Sequence, residues 1–255
     1  MSWNADQYLK FAEPRLRPAV DLLARVPGDS PRRVYDLGCG AGNVTRLLVD
    51  RWPQSAVVGV DNSEEMLAKA RSALPAVTWI RASVTEWEPD GPADVIFSNA
   101  ALHWLPHHER LLPAIAGRLA PGGVLAIQMP NNFSARSHTG MADTVHAGPW
   151  KTRLLPLLGP SPVASPGEYY QYLSGHVDEI DIWETEYLQV LRGQDPVKEW
   201  TKGTWLKRFL DALEGAEAIE FEEQYAARMR VAYPQRADGT TLFPFRRLFI
   251  VARRG

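Results

Sequence analysis

The sequence predicts a doubly wound α/β fold: a mostly parallel seven-stranded sheet with helices on both faces and a helical cap. Three observations predict it. Short apolar runs alternate with segments of helical spacing through the first 130 residues, a glycine cluster directly follows the first run, and an acid closes the second. Runs that are apolar throughout belong to strands buried on both faces, the signature of a parallel sheet.

Val34-Tyr35-Asp36-Leu37 is the first strand, and Val44 to Trp52 is the helix after its glycines. Ala56 to Val60, rich in β-branched residues, is the second strand. Asn62 and Ser63 supply an N-cap, Glu64 and Glu65 first-turn acids, and Met66, Leu67 and Ala70 the buried stripe of a helix. Val77 to Ile80 and Asp94 to Ser98 are the third and fourth strands. His107 to Ala120 reads as a helix stopped by Pro121-Gly122-Gly123, with His107 and His108 on its solvated start, and Val124 to Met129 is the fifth strand.

The rhythm changes after Pro130. Residues 131–175, rich in Pro, Gly, Ser, His and Tyr, read as short helices and loops. Val177 to Val190 alternates as a strand does, Pro196 to Leu213 suits two short helices, and Leu242 to Ala252 is a closing strand. Ala218, Phe221, Tyr225, Met229 and Ala232 fall on one helical face. The expectation is one domain over 1–255. Its core is 28–130, 176–192 and 240–255, and cap segments 131–175 and 195–235 lie over the carboxyl edge of the sheet, where such sheets bind ligands. If the last strand is antiparallel, it begins at that edge, near Phe243 to Arg247.

The 255 residues carry a formal charge of -2, so no broad basic field attracts a phosphate backbone, and nucleic acid is excluded as a partner. One cysteine, Cys39, offers neither an internal disulfide nor a metal-ligand cluster, and no metal is expected. The opening Met1-Ser2-Trp3-Asn4-Ala5-Asp6 lacks the basic and apolar segments of a signal peptide, and no apolar run approaches the ~20 residues that cross a bilayer. The expectation is a cytoplasmic chain with no membrane contact and no obligatory protein partner.

The chemistry starts at Asp36-Leu37-Gly38-Cys39-Gly40-Ala41-Gly42. A strand running through glycines into a helix lets backbone and a helix N-terminus meet a ligand. Asp61, 19 residues past Gly42, stands where a carboxylate accepts from both hydroxyls of a ribose. A dinucleotide fold shares this geometry but wants glycine or alanine where Asn43 stands, and usually no acid where Asp36 stands. An anion at Asp36 repels a pyrophosphate and suits a cationic amino group. The alternative, a glycine turn that serves only helix-strand packing, leaves the two acids unexplained.

Asp36 to Gly42, Val58-Gly59-Val60-Asp61 and Leu119-Ala120-Pro121-Gly122-Gly123-Val124 resemble the successive motifs of class I S-adenosylmethionine-dependent methyltransferases. More narrowly, the chain resembles the trans-aconitate methyltransferase family over almost its whole length. The matching stretches are Tyr8 to Phe11, Arg15 to Pro18, Ser98 to Trp104, Ala126 to Pro130, Trp183 to Tyr187, Glu199 to Gly203 and Leu242 to Phe249. The resemblance implies S-adenosyl-L-methionine as cofactor and methyl transfer to a carboxylate of a small polycarboxylate. It implies that Asp36, Gly38 and Gly40 hold the methionine end, that Asp61 holds the ribose, and that Asn62 and Met66 flank the adenine. Ser83 stands where many relatives have an aspartate accepting from the adenine amino group. Asn99 and Ala100 would lie beside the sulfonium, and Tyr8 and Arg15 would close the site.

Several candidates remain for the acceptor. His103 and Trp104 follow the fourth strand and are possible acceptor-positioning residues, against packing roles for both. Arg136, Arg153, Lys202, Arg246 and Arg247 are the cations weighed for a tricarboxylate, and arginine supplies the planar fork that suits one. Adjacent residues of a strand face opposite ways, so at most one of Arg246 and Arg247 meets substrate. Arg247, on the side of Phe243, Phe245 and Phe249, and Arg153 are the substrate candidates. A carboxylate with a pKa near ~4 needs no general base, and none is assigned. Two rivals stay open: methyl transfer to a hydroxyl or carbon, marked by a base near His103, and a non-catalytic S-adenosylmethionine-binding protein with a blocked acceptor pocket.

Overall fold

Strand β1 (Arg33–Leu37) forms from four buried residues in a row, and everything that positions the site is built around it. The computed structural model describes residues 12–255. Helix α1 (Ala12–Leu23), which buries Ala19 and Leu22, precedes β1 and is an addition to the sequence reading. After the glycine turn come α2 (Asn43–Arg51), β2 (Ala56–Asp61) and α3 (Glu64–Ala73). Ser63 caps α3 as its sequence predicts: its side chain accepts from the Met66 N–H, and Glu64 and Glu65 fill the first turn. Next are β3 (Thr78–Arg81) and β4 (Ala93–Asn99), a single 3-10 turn over Leu102–Trp104, α4 (His108–Ala116) and β5 (Leu119–Pro130).

The helix α4 ends earlier than expected, and Pro121-Gly122-Gly123 lies inside β5 rather than stopping a helix. Leu119 already pairs with Ala93, and the register then shifts before Val95 meets Val124. Gly122, at φ 78, and Gly123, where a Cβ would sit 2.7 Å from the Ala93 carbonyl, shape that bulged start.

The sheet runs β3-β2-β1-β4-β5-β7-β6, with β6 (Glu179–Arg192) and β7 (Thr240–Arg253). β1 to β5 are parallel and β7 pairs antiparallel with β5. Strand order therefore reverses between β1 and β4, the switch point where open α/β sheets bind ligands.

Two compact units divide the chain. A sheet unit contains residues 15–130, 162–185 and 247–255, and a helical unit is built from 131–161 and 186–246. The expected cap segment 131–175 is thus split at 161. Of its helices, α5 (Arg136–Ala147) and α6 (Lys151–Leu154) belong to the helical unit, whereas α7 (Pro166–Leu173) joins the sheet unit. Tyr169 is the reason: fully buried, its hydroxyl lies 2.7 Å from His108 Nδ1 on α4. His108 Nε2 donates to the Leu102 carbonyl at 2.9 Å, which leaves Nδ1 to accept from Tyr169. His108 is consequently buried, not on a solvated helix start.

The helical unit has its own core. Helices α5, α6, α8 (Pro196–Lys202), α9 (Lys207–Leu210) and α10 (Gly215–Ala232) bury Trp150, Trp200, Phe209, Phe221 and Tyr225 with Phe243 and Phe245. The residues Phe221, Tyr225 and Met229 form the buried face of α10 that their spacing predicts.

Candidate active site

β1 delivers Asp36 to the edge of the sheet and then turns through Gly38, Gly40 and Gly42, whose φ values are 74, 54 and 84. Three left-handed residues in five suit glycine alone. At Gly38 a Cβ would also collide with that of Ala101. The turn is braced on β2: the Gly38 and Cys39 N–H groups donate to the Val60 carbonyl at 2.8 and 3.1 Å, and the Gly40 N–H donates to Asp61 Oδ2 at 2.9 Å. The Ser63 N–H donates to Asp61 Oδ1 at 2.8 Å, so two backbone donors aim a half-buried carboxylate.

Asp36 is buried at 1% exposure, and its Oδ2 accepts from Thr45 Oγ1 of α2 at 2.6 Å. Burial raises its pKa to about 7, with the nearby Asp61 charge adding to the rise and the Thr45 hydrogen bond opposing it.

Register assembles a second group. Asp36 lies opposite Phe97 on β4, two residues before Asn99, and Asn99 lies opposite Gln128 on β5. Gln128 lies opposite Phe249 on β7, two residues after Arg247. Residues opposite one another, or two apart along a strand, share a face. Asp36, Asn99, Gln128 and Arg247 therefore project from one face across four neighbouring strands, a span of roughly 14 Å at the usual strand spacing. Arg247 is 4% exposed and its Nη1 donates to Gln128 Oε1 at 3.4 Å. Among the described residues, Gln128 Nε2 and Asn99 Oδ1 are buried without a hydrogen-bond partner.

Ala100 follows with φ 52, unusual outside glycine, and its N–H donates to the Gln128 carbonyl at 2.8 Å. His103 is buried, with its ring 4.6 Å from that of Trp104. Trp104 is 41% exposed, too open for a core role. Asn62 is exposed and Met66 half-buried, on the edge beside Asp61. Ser83 Oγ is 2.7 Å from Thr85 Oγ1 and accepts from the Thr85 N–H, a local turn after β3. Among the described residues no three His, Cys, Asp or Glu side chains converge to hold a metal ion.

A methyltransferase-domain family model matches residues 34–123, from β1 into β5. A trans-aconitate 2-methyltransferase of Azoarcus sp. (strain BH72) is 49% identical over 99% of both chains. Another, of Streptomyces avermitilis, is 46% identical over 99% of this chain and 97% of its own. The chain belongs to the trans-aconitate 2-methyltransferase family. Its fold is that of class I methyltransferases. Phosphoethanolamine N-methyltransferase 2 of Haemonchus contortus, solved with phosphomonomethylethanolamine and S-adenosylhomocysteine, matches with a TM-score of 0.57 and 17% identity. That match covers 94% of this chain and 53% of that one. The YcgJ protein of Bacillus subtilis matches at 0.57 and 16%, over 92% and 96%.

Within this member of the family, Asp36, Gly38, Gly40, Asp61, Asn62, Met66, Ser83, Asn99, Ala100 and Arg247 all lie in the sheet unit, at the carboxyl ends of β1 to β5 or on β7 where it pairs with the end of β5. Tyr8 lies outside the described residues, as does the Arg15 side chain; the Arg15 backbone is in α1. Arg153 already has a partner. It lies in the helical unit, its side chain is 55% exposed, and Nη1 donates to Glu217 Oε2 at 2.6 Å. On the short α6 the buried position is Leu154, which leaves its neighbour Arg153 facing solvent. The other weighed cations are also engaged: Arg136 with Asp143, Lys202 with Glu222 and Arg246 with Glu186. Thr45 and Gln128, which hydrogen-bond to Asp36 and Arg247, are the members of this arrangement that sequence reasoning did not single out. A threonine nine residues past Asp36 and a lone glutamine in an apolar strand were the available signals.

Proposed function

We propose that this chain transfers the methyl group of S-adenosylmethionine to a carboxylate of trans-aconitate, giving the monomethyl ester and S-adenosylhomocysteine. The observation that carries it is the shared face of the sheet: a buried carboxylate, Asp36, at one end of a polar row and a buried guanidinium, Arg247, at the other. That polarity matches a cationic cofactor end beside a polyanionic acceptor. The full-length relatives named for this activity support the same reading.

The residues present fit the cofactor. Asp36 is a buried anion, Asn99 Oδ1 is a buried acceptor without a partner among the described residues, and at Gly40 nothing lies within 4 Å of where a Cβ would stand, which leaves backbone open to a ligand. When bound, S-adenosylmethionine supplies a methyl group made electrophilic by its sulfonium. Asp36 accepts from the ammonium group, and Gly38 and Gly40 bring backbone against the methionine portion. Asp61 accepts from the ribose hydroxyls with the lone pairs its two backbone donors leave open. Asn62 and Met66 flank the adenine, and Ser83 faces its edge. Asn99 and Ala100 line the reacting end, and Tyr8 and Arg15 complete the set from the N-terminal segment. Arg247 takes an acceptor carboxylate with its fork, and His103 and Trp104 orient the rest of the acceptor.

An ionised carboxylate is a competent nucleophile, so the protein's task is alignment and exclusion of water rather than proton removal. The sulfonium and the carboxylate would neutralise one another on transfer, so a buried setting that excludes water would favour that step over bulk water. No helix among the described residues is long and apolar enough to cross a membrane. A small-molecule enzyme of the cytoplasm is the setting of this reading. Labelled cofactor incubated with a panel of di- and tricarboxylates tests it. Label should enter trans-aconitate as a base-labile ester. Label reaching only hydroxyl or carbon acceptors, or none, refutes it.

A further inference from the structure

We propose that Gln128 is a specificity-determining residue whose amide Nε2, together with the Arg247 guanidinium, receives one carboxylate of the acceptor. The inference rests on the polycarboxylate reading above. Gln128 is fully buried in β5 between Ile127 and Met129, where an apolar side chain would serve packing without penalty. One end of the amide is engaged: Oε1 accepts from Arg247 Nη1 at 3.4 Å, which leaves Nε2 as its open donor next to the guanidinium. Nε2 has no partner among the described residues. A buried donor left empty is costly unless a ligand fills it.

The neighbours say which ligand. The adjacent guanidinium makes the vicinity of Nε2 favourable for an anion, and a carboxylate offers two oxygens to two N–H donors. The next position in the row, Asn99 Oδ1, is another buried atom without a partner among the described residues. The unmet polar atoms thus lie on β4 and β5, between Asp36 on β1 and Arg247 on β7. A carboxylate held there lies on the Arg247 side of the row, apart from the Asp36 end that attracts the cation.

The test pairs a change in the protein with a change in the acceptor. Gln128→Met keeps volume and removes the donor, and Gln128→Glu sets an anion against Arg247. Each variant and the parent are assayed with trans-aconitate and with the three dicarboxylates that each lack one of its carboxylates. Calorimetry measures S-adenosylhomocysteine binding and then trans-aconitate binding to that complex. In Gln128→Met the KM for trans-aconitate should rise about tenfold or more, and Gln128→Glu should lose more, with S-adenosylhomocysteine affinity retained. The penalty should vanish for the one dicarboxylate that lacks the recognised group. Equal penalties for all acceptors, an unchanged KM, or loss of folding in both variants would assign Gln128 to packing and overturn the proposal. A parent that binds trans-aconitate without methylating it sinks the functional reading alone, and the binding arm still decides Gln128. A parent that does neither sinks both.

Discussion

Cofactor affinity should depend on pH through Asp36, and the dependence should vanish in Asp36→Asn. In the ligand-free protein Asp36 is buried, and that burial moves its pKa to about 7. A bound ammonium needs the ionised form, so below neutrality binding must first expel a proton. With the complexed carboxylate ionised throughout, lowering the pH from 7.5 to 5.5 weakens binding about 25-fold, or about 2 kcal/mol. The sign for stability is the reverse. The folded pKa lies above the unfolded value, so the ligand-free fold gains from protonation: it is most favoured below about pH 4 and loses on the order of 4 kcal/mol as pH rises through about 7. Calorimetry with S-adenosylhomocysteine, in buffers of different ionisation enthalpy, reads affinity and proton release together. Affinity flat from pH 5.5 to 7.5, or an equal slope in Asp36→Asn, would refute the assignment of Asp36 to the cationic end.

Asp61→Ala removes the ribose acceptor and also strands the Gly40 and Ser63 N–H groups it holds. Cofactor affinity should fall by ~1–3 kcal/mol, and an unchanged titration in a folded variant ends that assignment. Arg247→Met keeps the apolar stem and removes the fork; acceptor KM should rise roughly ten- to a hundredfold with cofactor binding intact, which steady-state kinetics checks. Gly38→Ala meets both a left-handed backbone and the Ala101 side chain, so thermal unfolding should show a loss of at least ~1–3 kcal/mol. At saturating substrates kcat should be flat from about pH 6 to 9, with only modest loss in His103→Gln. A limb rising near the histidine pKa, abolished along with activity in that variant, would instead identify a base and a hydroxyl or carbon acceptor.

Local pattern carried much of the fold and the placement of the two candidate acids. The five apolar runs, the turn at Gly38, Gly40 and Gly42, and the cap at Ser63 are short-range features, each governed by residues within a few positions. Asp36 and Asp61 were legible because a strand end followed by glycines already says where its acid lies. Arg247 stood out as a charge on an aromatic side of a strand, and it is buried. Arg153 carried no comparable local context, and Glu217, 64 residues away, holds it at the surface.

What tertiary structure alone decided depends on distant partners. Gln128 and Arg247 are 119 residues apart, and they share a face only because β7 returns antiparallel beside β5. Thr45 acquires meaning when α2 folds back to set its hydroxyl on Asp36. His108 and Tyr169, 61 residues apart, bury each other and move the boundary of the helical unit to 161. By itself the sequence determined the five apolar strand runs, the capped helix at Ser63 and which acids stand at the ends of β1 and β2, because backbone preference and burial period act over one turn or one pleat. Which polar side chains are left to meet a ligand was decided by strand order and register, because satisfying a buried donor or acceptor requires the whole chain to be in place.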